Sequence, residues 1–192
     1  MDSAPSSRTA ASTKIVVAGG FGVGKTTLVG AISEIVPLRT EALVTNESEG
    51  IDDLAAVPTK ATTTVAMDFG RITLGQDLVL YLFGTPGQKR FWFMWDDLCL
   101  GAIGAIVMVD TNRLDEAFSP LDYFEEKGIP FIVAVNQFDG GQYYELEQIR
   151  EALAIPTGIP MLRIDARERE SVKDALLMVT EYALRQLTLS MV

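Results

Sequence analysis

The segment 14-KIVVAGGFGVGKTTLVGAI-32 joins an apolar run to a helix-forming run through a glycine-rich loop. That loop, 19-GGFGVGKT-26, has the spacing G-x-x-x-x-G-K-T. Glycines let the chain wrap tightly with successive N–H groups pointing inward, and the following helix adds the positive end of its dipole. A loop of this kind after a first strand predicts a binding site for the phosphates of a nucleotide.

The residues of this loop have separate expected contacts. Lys25 would reach the β- and γ-phosphate oxygens, and the Thr26 hydroxyl would coordinate Mg²⁺. The residues expected to bind the phosphates are Gly22, Val23, Gly24, Lys25, Thr26 and Thr27. A chance glycine-rich turn is the alternative, but the position of the motif between a strand and a helix disfavours it.

Apolar runs alternate with amphipathic runs along the rest of the chain. Strands are predicted over 14–19, 64–72, 77–83, 103–110, 129–136 and 160–165, and helices over 25–36, 88–99, 115–128, 144–155 and 170–187. This order predicts an α/β fold of the P-loop NTPase type: a doubly wound, mostly parallel six-stranded sheet with helices on both faces. We expect a disordered tail over 1–12 and a single domain over 13–192. The acidic segment 38–63 has weak periodicity, so we interpret most of it as a mobile lid.

Composition excludes several classes of function. The 192 residues carry a net charge of −10, which disfavours nucleic-acid binding. No histidine is present, so His-based catalysis and His metal ligands are excluded. Cys99 is the only cysteine, which excludes an internal disulfide and favours a buried thiol in a cytoplasmic protein. No apolar run approaches the ~20 residues of a membrane-spanning helix.

A second motif follows the predicted strand 129–136. The sequence 136-NQFD-139 matches the Asn-Lys-x-Asp motif of Ras-like GTPases at Asn136 and Asp139, with Gln137 in the place of Lys. The motif's Asp accepts hydrogen bonds from guanine N1–H and its exocyclic amine, whereas adenine would leave that carboxylate unpaired. An ordinary Asn/Asp turn is the alternative.

Two further segments resemble parts of the same family. The sequence 165-DAR-167 resembles the Ser-Ala-Lys loop, in which the Ala166 N–H would contact guanine O6, although Asp165 and Arg167 differ from that motif. A plain strand-to-helix turn explains this segment nearly as well. Thr64 opens 64-TVAMDF-69, similar to a strand whose Thr binds Mg²⁺ and senses the γ-phosphate; β-propensity is the alternative for that threonine.

The stretch 83-FGTPGQKRFW-92 resembles Asp-x-x-Gly-Gln with Gly84 in the place of the Asp. The family motif implies that the Gly87 N–H binds the γ-phosphate and that Gln88 orients the attacking water. Thr26 and Thr64, which would be the direct magnesium ligands, are both present. Asp68 on the neighbouring strand is a candidate substitute for the missing carboxylate, provided that its side chain faces the metal.

Together these motifs resemble the Ras-like small GTPases, and more closely the bacterial branch of MglA-like and actinobacterial conservon (CvnD-type) GTPases. The resemblance implies a GTP/GDP switch that depends on Mg²⁺ and hydrolyses GTP slowly. It also implies a Roadblock-type regulatory protein and a signalling pathway component as partners. We expect a monomer that associates with membranes only through partners. Two alternatives are a non-hydrolysing GTP/GDP-binding scaffold and a metabolic P-loop kinase or ATPase; Asp139 disfavours the second.

The same resemblance implies that a catalytic arginine could lie near the lid threonine. MglA-type proteins carry an arginine immediately before the lid threonine, where this chain has Thr63. Arg90 is the nearest internal candidate, and a solvated lid charge is the alternative role for it.

The side chains of 91-FWFMW-95 cannot all face the core, because five consecutive helical residues cover the full circumference of a helix. Either some of these side chains form a partner surface, or two or three of them are buried under the lid.

Overall fold

The structure is a computed structural model that describes residues 11–44, 63–75, 77–87 and 89–190, and within these it leaves out the side chains of 39–44, 63–66, 89, 90 and 190. The strands are β1 (Ala11–Gly19), β2 (Leu38–Val44), β3 (Thr63–Leu74), β4 (Leu78–Gly84), β5 (Gly104–Val109), β6 (Phe131–Asn136) and β7 (Met161–Ile164). The helices are α1 (Lys25–Ile32), α2 (Trp95–Cys99), α3 (Asp115–Lys127), α4 (Leu146–Ala152) and α5 (Arg169–Ser190), and a 3-10 helix covers Lys89–Met94.

One sheet contains all of these strands in the order β2-β3-β4-β1-β5-β6-β7. Strands β4, β1, β5, β6 and β7 run parallel to one another, while β2, β3 and β4 are antiparallel neighbours. The predicted α/β fold with a mostly parallel, doubly wound sheet is confirmed.

The sheet has one strand more than the six predicted, because β2 adds a seventh. It occupies the start of the segment that we interpreted as a lid, and its pairing with β3 runs from Leu38 opposite Phe69 to Val44 opposite Thr63. Its sequence, LRTEALV, mixes charged and apolar residues, so it lacks the continuous apolar run of the central strands. The remainder of the predicted lid, 45–62, lies outside the described residues.

The predicted N-terminal tail, 1–12, overlaps the first two residues of β1. Ala11 and Ser12 belong to β1, where they pair in parallel register with Leu78 and Val79. The rest of the predicted tail, 1–10, lies outside the described residues.

The core has two layers, one on each face of the sheet. Alternate residues of β1 pack into opposite layers. Val17 packs in the layer that contains α1 and α5, and Val16 packs in the layer that contains α3. Strands β5 and β6 are buried at every position, which explains their continuous apolar sequences. No helix in the described ranges has the length and apolar character required to cross a membrane.

The aromatic stretch 91–95 divides between core and surface. Trp95 is 1% exposed and Phe91 is buried, whereas Phe93 is 67% exposed. The predicted helix over 88–99 is a 3-10 helix followed by the five-residue α2, and this change of helical period sets which side chains face inward. Two of these residues are buried, and the partner surface stays a prediction, for which Phe93 is exposed.

Candidate nucleotide-binding site

The loops that carry the sequence motifs meet at one edge of the sheet. The loops after β1, β6 and β7 all leave from the carboxyl ends of parallel strands, which is where open α/β sheets bind ligands. Asn136 joins the three loops: its Nδ2 donates to the Val23 carbonyl at 2.9 Å, and its Oδ1 accepts from the Ala166 N–H at 3.0 Å. Asn136 therefore links the loops after β1, β6 and β7. The Ala166 N–H, which was expected to contact guanine O6, donates to Asn136 instead.

The glycine-rich loop has the backbone that the motif predicts. Gly22 and Gly24 have φ angles of 72° and 108°, which L side chains rarely adopt. A Cβ on Gly24 would also lie 2.7 Å from Asn136 Nδ2, so the close approach of the two loops requires glycine there. Helix α1 begins directly after Gly24 and has no side-chain cap, which leaves its first N–H groups for a ligand.

Lys25 is folded into this loop. Its ammonium group donates to the carbonyls of Gly19 at 2.9 Å and Gly20 at 2.6 Å, and the residue is 8% exposed. Burial lowers the pKa of Lys25 to about 8, and the negative charges of Asp68 and Glu116 oppose that shift. The ammonium is therefore charged at neutral pH, at a site where bound phosphate would stabilise the charge.

Asp68 occupies the position that Gly84 leaves open. The two residues are direct partners in the β3–β4 register, and a Cβ on Gly84 would lie 3.1 Å from the Asp68 Cβ. The Asp68 carboxylate is 7% exposed and accepts a hydrogen bond of 2.5 Å from the Thr26 hydroxyl. The side chain of Asp68 thus faces the glycine-rich loop. The sequence alone does not determine this direction.

A cavity of about 300 Å³ lies above these groups. Its lining comprises Phe21, Gly22, Gly24, Lys25, Thr26, Thr27, Asp68, Thr85 and Gly87. The buried Thr85 hydroxyl in this lining has no hydrogen-bond partner within the described part of the chain. The cavity therefore presents a cation, hard oxygen donors and an unused hydroxyl.

These donors fit a magnesium ion. Mg²⁺ prefers oxygen ligands and in nucleotide sites takes one or two carboxylates with the substrate phosphates. Thr26 and Asp68 supply a hydroxyl oxygen and a carboxylate oxygen that lie 2.5 Å apart. Across the described ranges no group of three or more His, Cys, Asp or Glu side chains is positioned to hold a metal, so phosphate and water oxygens would complete the ligand set.

The remaining catalytic predictions are only partly described. Gly87 lies against the glycine-rich loop, since a Cβ there would be 2.8 Å from the Phe21 backbone nitrogen. Thr64 is placed in β3 opposite Leu43, but its side chain is not described. Gln88 lies outside the described residues, and so does the side chain of Arg90.

The predicted base-binding residues line a second cavity, of about 410 Å³. Its lining comprises Gly22, Gly24, Thr27, Asn136, Gln137, Phe138, Asp139, Asp165, Ala166 and Arg167. It therefore runs from the glycine-rich loop to Asp139, the residue predicted to read the base. Val23 is buried beneath the loop and contributes its backbone.

Asp139 is not free in this cavity. The Arg167 guanidinium donates to both of its carboxylate oxygens, at 2.7 Å and 3.0 Å, and also donates to Asp165 at 2.7 Å. Hydrogen bonds from Arg167 lower the pKa of the Asp165 carboxyl to about 2 and lower the pKa of Asp139 as well. Both carboxylates are ionised at neutral pH.

Arg113 also lies beside the glycine-rich loop, a position that the sequence did not predict. Arg113 donates to the Phe21 carbonyl at 2.7 Å and forms ion pairs with Asp110 and Glu116, at 3.0 Å and 3.4 Å. A Cβ on Gly20 would collide with the Glu116 carboxylate. The Arg113–Phe21 contact spans 92 residues, and no local motif signals it.

The fold and the site define a nucleotide-binding protein of the P-loop class. The chain belongs to the family described as conserved hypothetical ATP binding protein, whose family model matches residues 17–186. It is 34% identical over 130 residues to the uncharacterized protein MJ1339 of Methanocaldococcus jannaschii, a match that covers 67% of this chain and 71% of that protein.

More distant relatives carry Ras-type names. The chain is 26% identical over 128 residues to the Ras-related protein RABD2c of Arabidopsis thaliana, covering 62% of this chain and 63% of that protein. It is 26% identical over 125 residues to the Ras-related protein RIC1 of Oryza sativa subsp. japonica, covering 60% and 62%. The chain thus spans less than two thirds of these plant proteins, and it is related to Ras-type GTPases.

Proposed function

We propose that this protein is a guanine-nucleotide-binding switch that hydrolyses GTP slowly to GDP and phosphate. The observation that carries the proposal is the cavity that connects the glycine-rich loop to Asp139. One end offers N–H groups and Lys25 to phosphates, and the other offers a carboxylate with the hydrogen-bonding pattern that guanine requires. The relation to Ras-type proteins supports the same function.

The residues of the cavity have distinct roles in this proposal. Lys25 binds β- and γ-phosphate oxygens, exchanging the Gly19 and Gly20 carbonyls for them. Thr26 would hold Mg²⁺, Asp68 would support it from the outer shell, and Thr64 is a further proposed ligand. When bound, Mg²⁺ would supply positive charge beside the phosphate oxygens.

Hydrolysis requires a positioned water and stabilisation of the charge on the transferred phosphoryl group. The Gly87 N–H binds the γ-phosphate from a loop that already rests on the Phe21 backbone. Gln88 orients the water. Arg113 is bound to Asp110, Glu116 and a backbone carbonyl, so its charge is neutralised away from the phosphates.

This arrangement predicts slow intrinsic turnover. In Ras-like enzymes a supplied arginine adds roughly 10³–10⁵ in rate. A partner protein would therefore control the switch, and a Roadblock-type regulator acting in a signalling pathway suits the MglA-like and conservon branch that the sequence resembles. The sequence 84-GTPGQ-88, with Gly84 in the place of the Asp, is one of the features on which that resemblance rests. We propose that the protein acts as a cytoplasmic monomer.

Single-turnover GTP hydrolysis tests the proposal. We expect slow release of phosphate by the wild type and a loss of at least about tenfold in Gln88→Ala, as expected when a water-orienting group is removed. Gln186→Ala on the distant helix α5 is the matched control and should keep the wild-type rate. Equal inertness of wild type and Gln88→Ala with and without partner proteins would instead support a non-hydrolysing scaffold.

A second candidate is adenine-nucleotide binding. One observation favours it: Arg167 neutralises Asp139, so a base without guanine's donors would leave no unpaired carboxylate. Competition between GTP and ATP for the purified protein separates the two candidates. Displacement of bound GTP by equimolar ATP would contradict the guanine proposal.

A further inference from the structure

The pairing of Arg167 with Asp139 has the geometry of a bound base. Two N–H groups of the guanidinium point at the two carboxylate oxygens, at 2.7 Å and 3.0 Å. Guanine presents the same arrangement to a carboxylate, because its N1–H and exocyclic N2–H₂ are neighbouring donors on one edge of a planar group. The atoms of Arg167 therefore stand where the donor edge of guanine would bind.

We propose that Arg167 is an internal competitor of guanine for Asp139, and that it thereby sets the preference of this site between guanine and adenine. The inference rests on the proposed function, in which Asp139 reads the base. Guanine must displace Arg167 before it can use the carboxylate. Adenine has no donor for Asp139, so it gains nothing by displacing Arg167.

Displacement of Arg167 is feasible because the ion pair is exposed. The Asp139 side chain is 84% exposed, and exposed ion pairs contribute little net stability. Arg167 also has a second carboxylate to hold it after displacement: its Nε and Nη2 donate to Asp165 at 2.9 Å and 2.7 Å. The guanidinium can give up Asp139 and remain paired, so the competition weakens guanine binding without blocking it.

The position of the pair connects it to both cavities of the base region. Asp139 and Arg167 line the 410 Å³ cavity that reaches the glycine-rich loop. They also line a cavity of about 350 Å³, together with Asp165 and Arg163. This second cavity gives the displaced guanidinium room beside Asp165.

Calorimetric titration of the full chain with GDP, IDP and ADP, each with Mg²⁺, tests the proposal. In Arg167→Gln we expect GDP to bind about three- to fivefold more tightly, which is the effect of removing one exposed ion pair. IDP lacks the exocyclic amine and makes one of the two contacts, so its gain should be smaller. ADP affinity should stay unchanged, and the GDP-to-ADP affinity ratio should rise by about three- to fivefold.

Two control variants separate competition from general electrostatics. Arg185→Gln removes the same charge from an exposed position on α5 and should alter none of the three affinities. Arg167→Lys keeps the charge but has no planar fork, so the GDP gain should be intermediate. If Arg167 instead attracted phosphates, Arg167→Gln would weaken GDP and ADP binding by the same factor.

The outcomes for the inference and for the proposed function are distinct. An unchanged or reduced GDP-to-ADP ratio in Arg167→Gln overturns the competition, whichever base the wild type prefers. A wild-type protein that binds ADP more tightly than GDP contradicts the proposed guanine switch. A rise in the ratio supports the role of Arg167 in either case.

Discussion

Thr26 donates a 2.5 Å hydrogen bond to Asp68, a residue 42 positions away that lies on the neighbouring strand β3 and not at the end of β4. A carboxylate therefore reaches the phosphate loop although the strand that should deliver it ends in Gly84. Asp68 thus places a carboxylate beside the phosphate loop, and we propose that it replaces the Asp that is missing at position 84. This pair determines the first prediction.

Asp68→Asn should weaken Mg²⁺ binding by about 10–100-fold, the usual cost of losing an outer-shell ligand, while the shape of the side chain is kept. The measurement is the rate of GDP release as a function of Mg²⁺ concentration, whose midpoint should move to higher Mg²⁺. Asp97→Asn on α2 is the matched control and should leave the midpoint unchanged. A wild-type midpoint in Asp68→Asn would refute the assignment of Asp68 to the metal.

A relocation experiment extends this prediction. Gly84→Asp alone should destabilise the protein, because its Cβ would meet the Asp68 Cβ at 3.1 Å and two carboxylates would share one site. Combining it with Asp68→Ala removes the second carboxylate but keeps the Asp68 Cβ, so it should recover part of the stability and part of the Mg²⁺ dependence. Thermal unfolding and GDP release measure the two effects.

Nucleotide affinity should depend on pH through Lys25, whose pKa is lowered to about 8 by burial. Bound phosphate favours the charged form and raises that pKa, so the complex holds the proton to higher pH than the free protein does. Affinity should accordingly be constant below about pH 7 and fall above about pH 8 by up to about tenfold per pH unit.

GDP titrations between pH 6.5 and 9.5 measure this dependence. Lys25→Arg keeps its charge across that range, so its affinity, although lower overall, should show no fall above pH 8. The same fall in Lys25→Arg would assign the titration to a different group.

Gly87→Ala should reduce GTP hydrolysis at least about tenfold while changing GDP affinity by less than about threefold. The added Cβ would lie 2.8 Å from the Phe21 backbone, which forces the 84–87 loop away from the phosphate loop. GDP lacks the γ-phosphate that the Gly87 N–H is proposed to bind. Parallel measurement of single-turnover hydrolysis and GDP binding checks the separation; equal losses in both would show that the change damages the phosphate loop itself.

Trp95→Ala should destabilise the protein by about 3–5 kcal/mol, because the side chain is buried against Tyr123 and Phe124. It also donates to the Pro86 carbonyl at 3.3 Å, so the 84–87 loop should loosen. Phe93→Ala changes an exposed side chain and should alter the free energy of unfolding by less than about 0.5 kcal/mol. Urea unfolding of both variants measures the difference, and partner binding is best tested with Phe93→Ala.

The elements with continuous apolar sequences were predictable because burial on both faces leaves a strong compositional signal. Strands β1, β5 and β6 were located within a few residues on that basis. Strand β2 was missed because only its pairing with β3 makes it a strand. Its own sequence places one Arg and one Glu among apolar residues and has no continuous apolar run.

The glycine-rich loop was predictable because the spacing of its residues determines its backbone conformation. Asn136 and Asp139 were predictable because the first ends the apolar strand β6 and the second follows it. The direction of the Asp68 side chain depends on the β3–β4 register, which the sequence leaves undetermined. The Arg167–Asp139 and Arg113–Phe21 contacts join residues 28 and 92 positions apart. Such contacts exist only once the sheet has brought the loops together.

Asn136 has a consequence for folding that follows from the separations it bridges. Its hydrogen bonds to Val23 and Ala166 span 113 and 30 residues, so they close only after β1, β6 and β7 are all in place. Contacts of such long range cost the most chain entropy and form late. A nascent chain that has not yet added β7 would possess the phosphate loop without the scaffold that holds it open. Nucleotide capture would then report that β7 has joined the sheet, and ligand present during synthesis would stabilise only chains that include it.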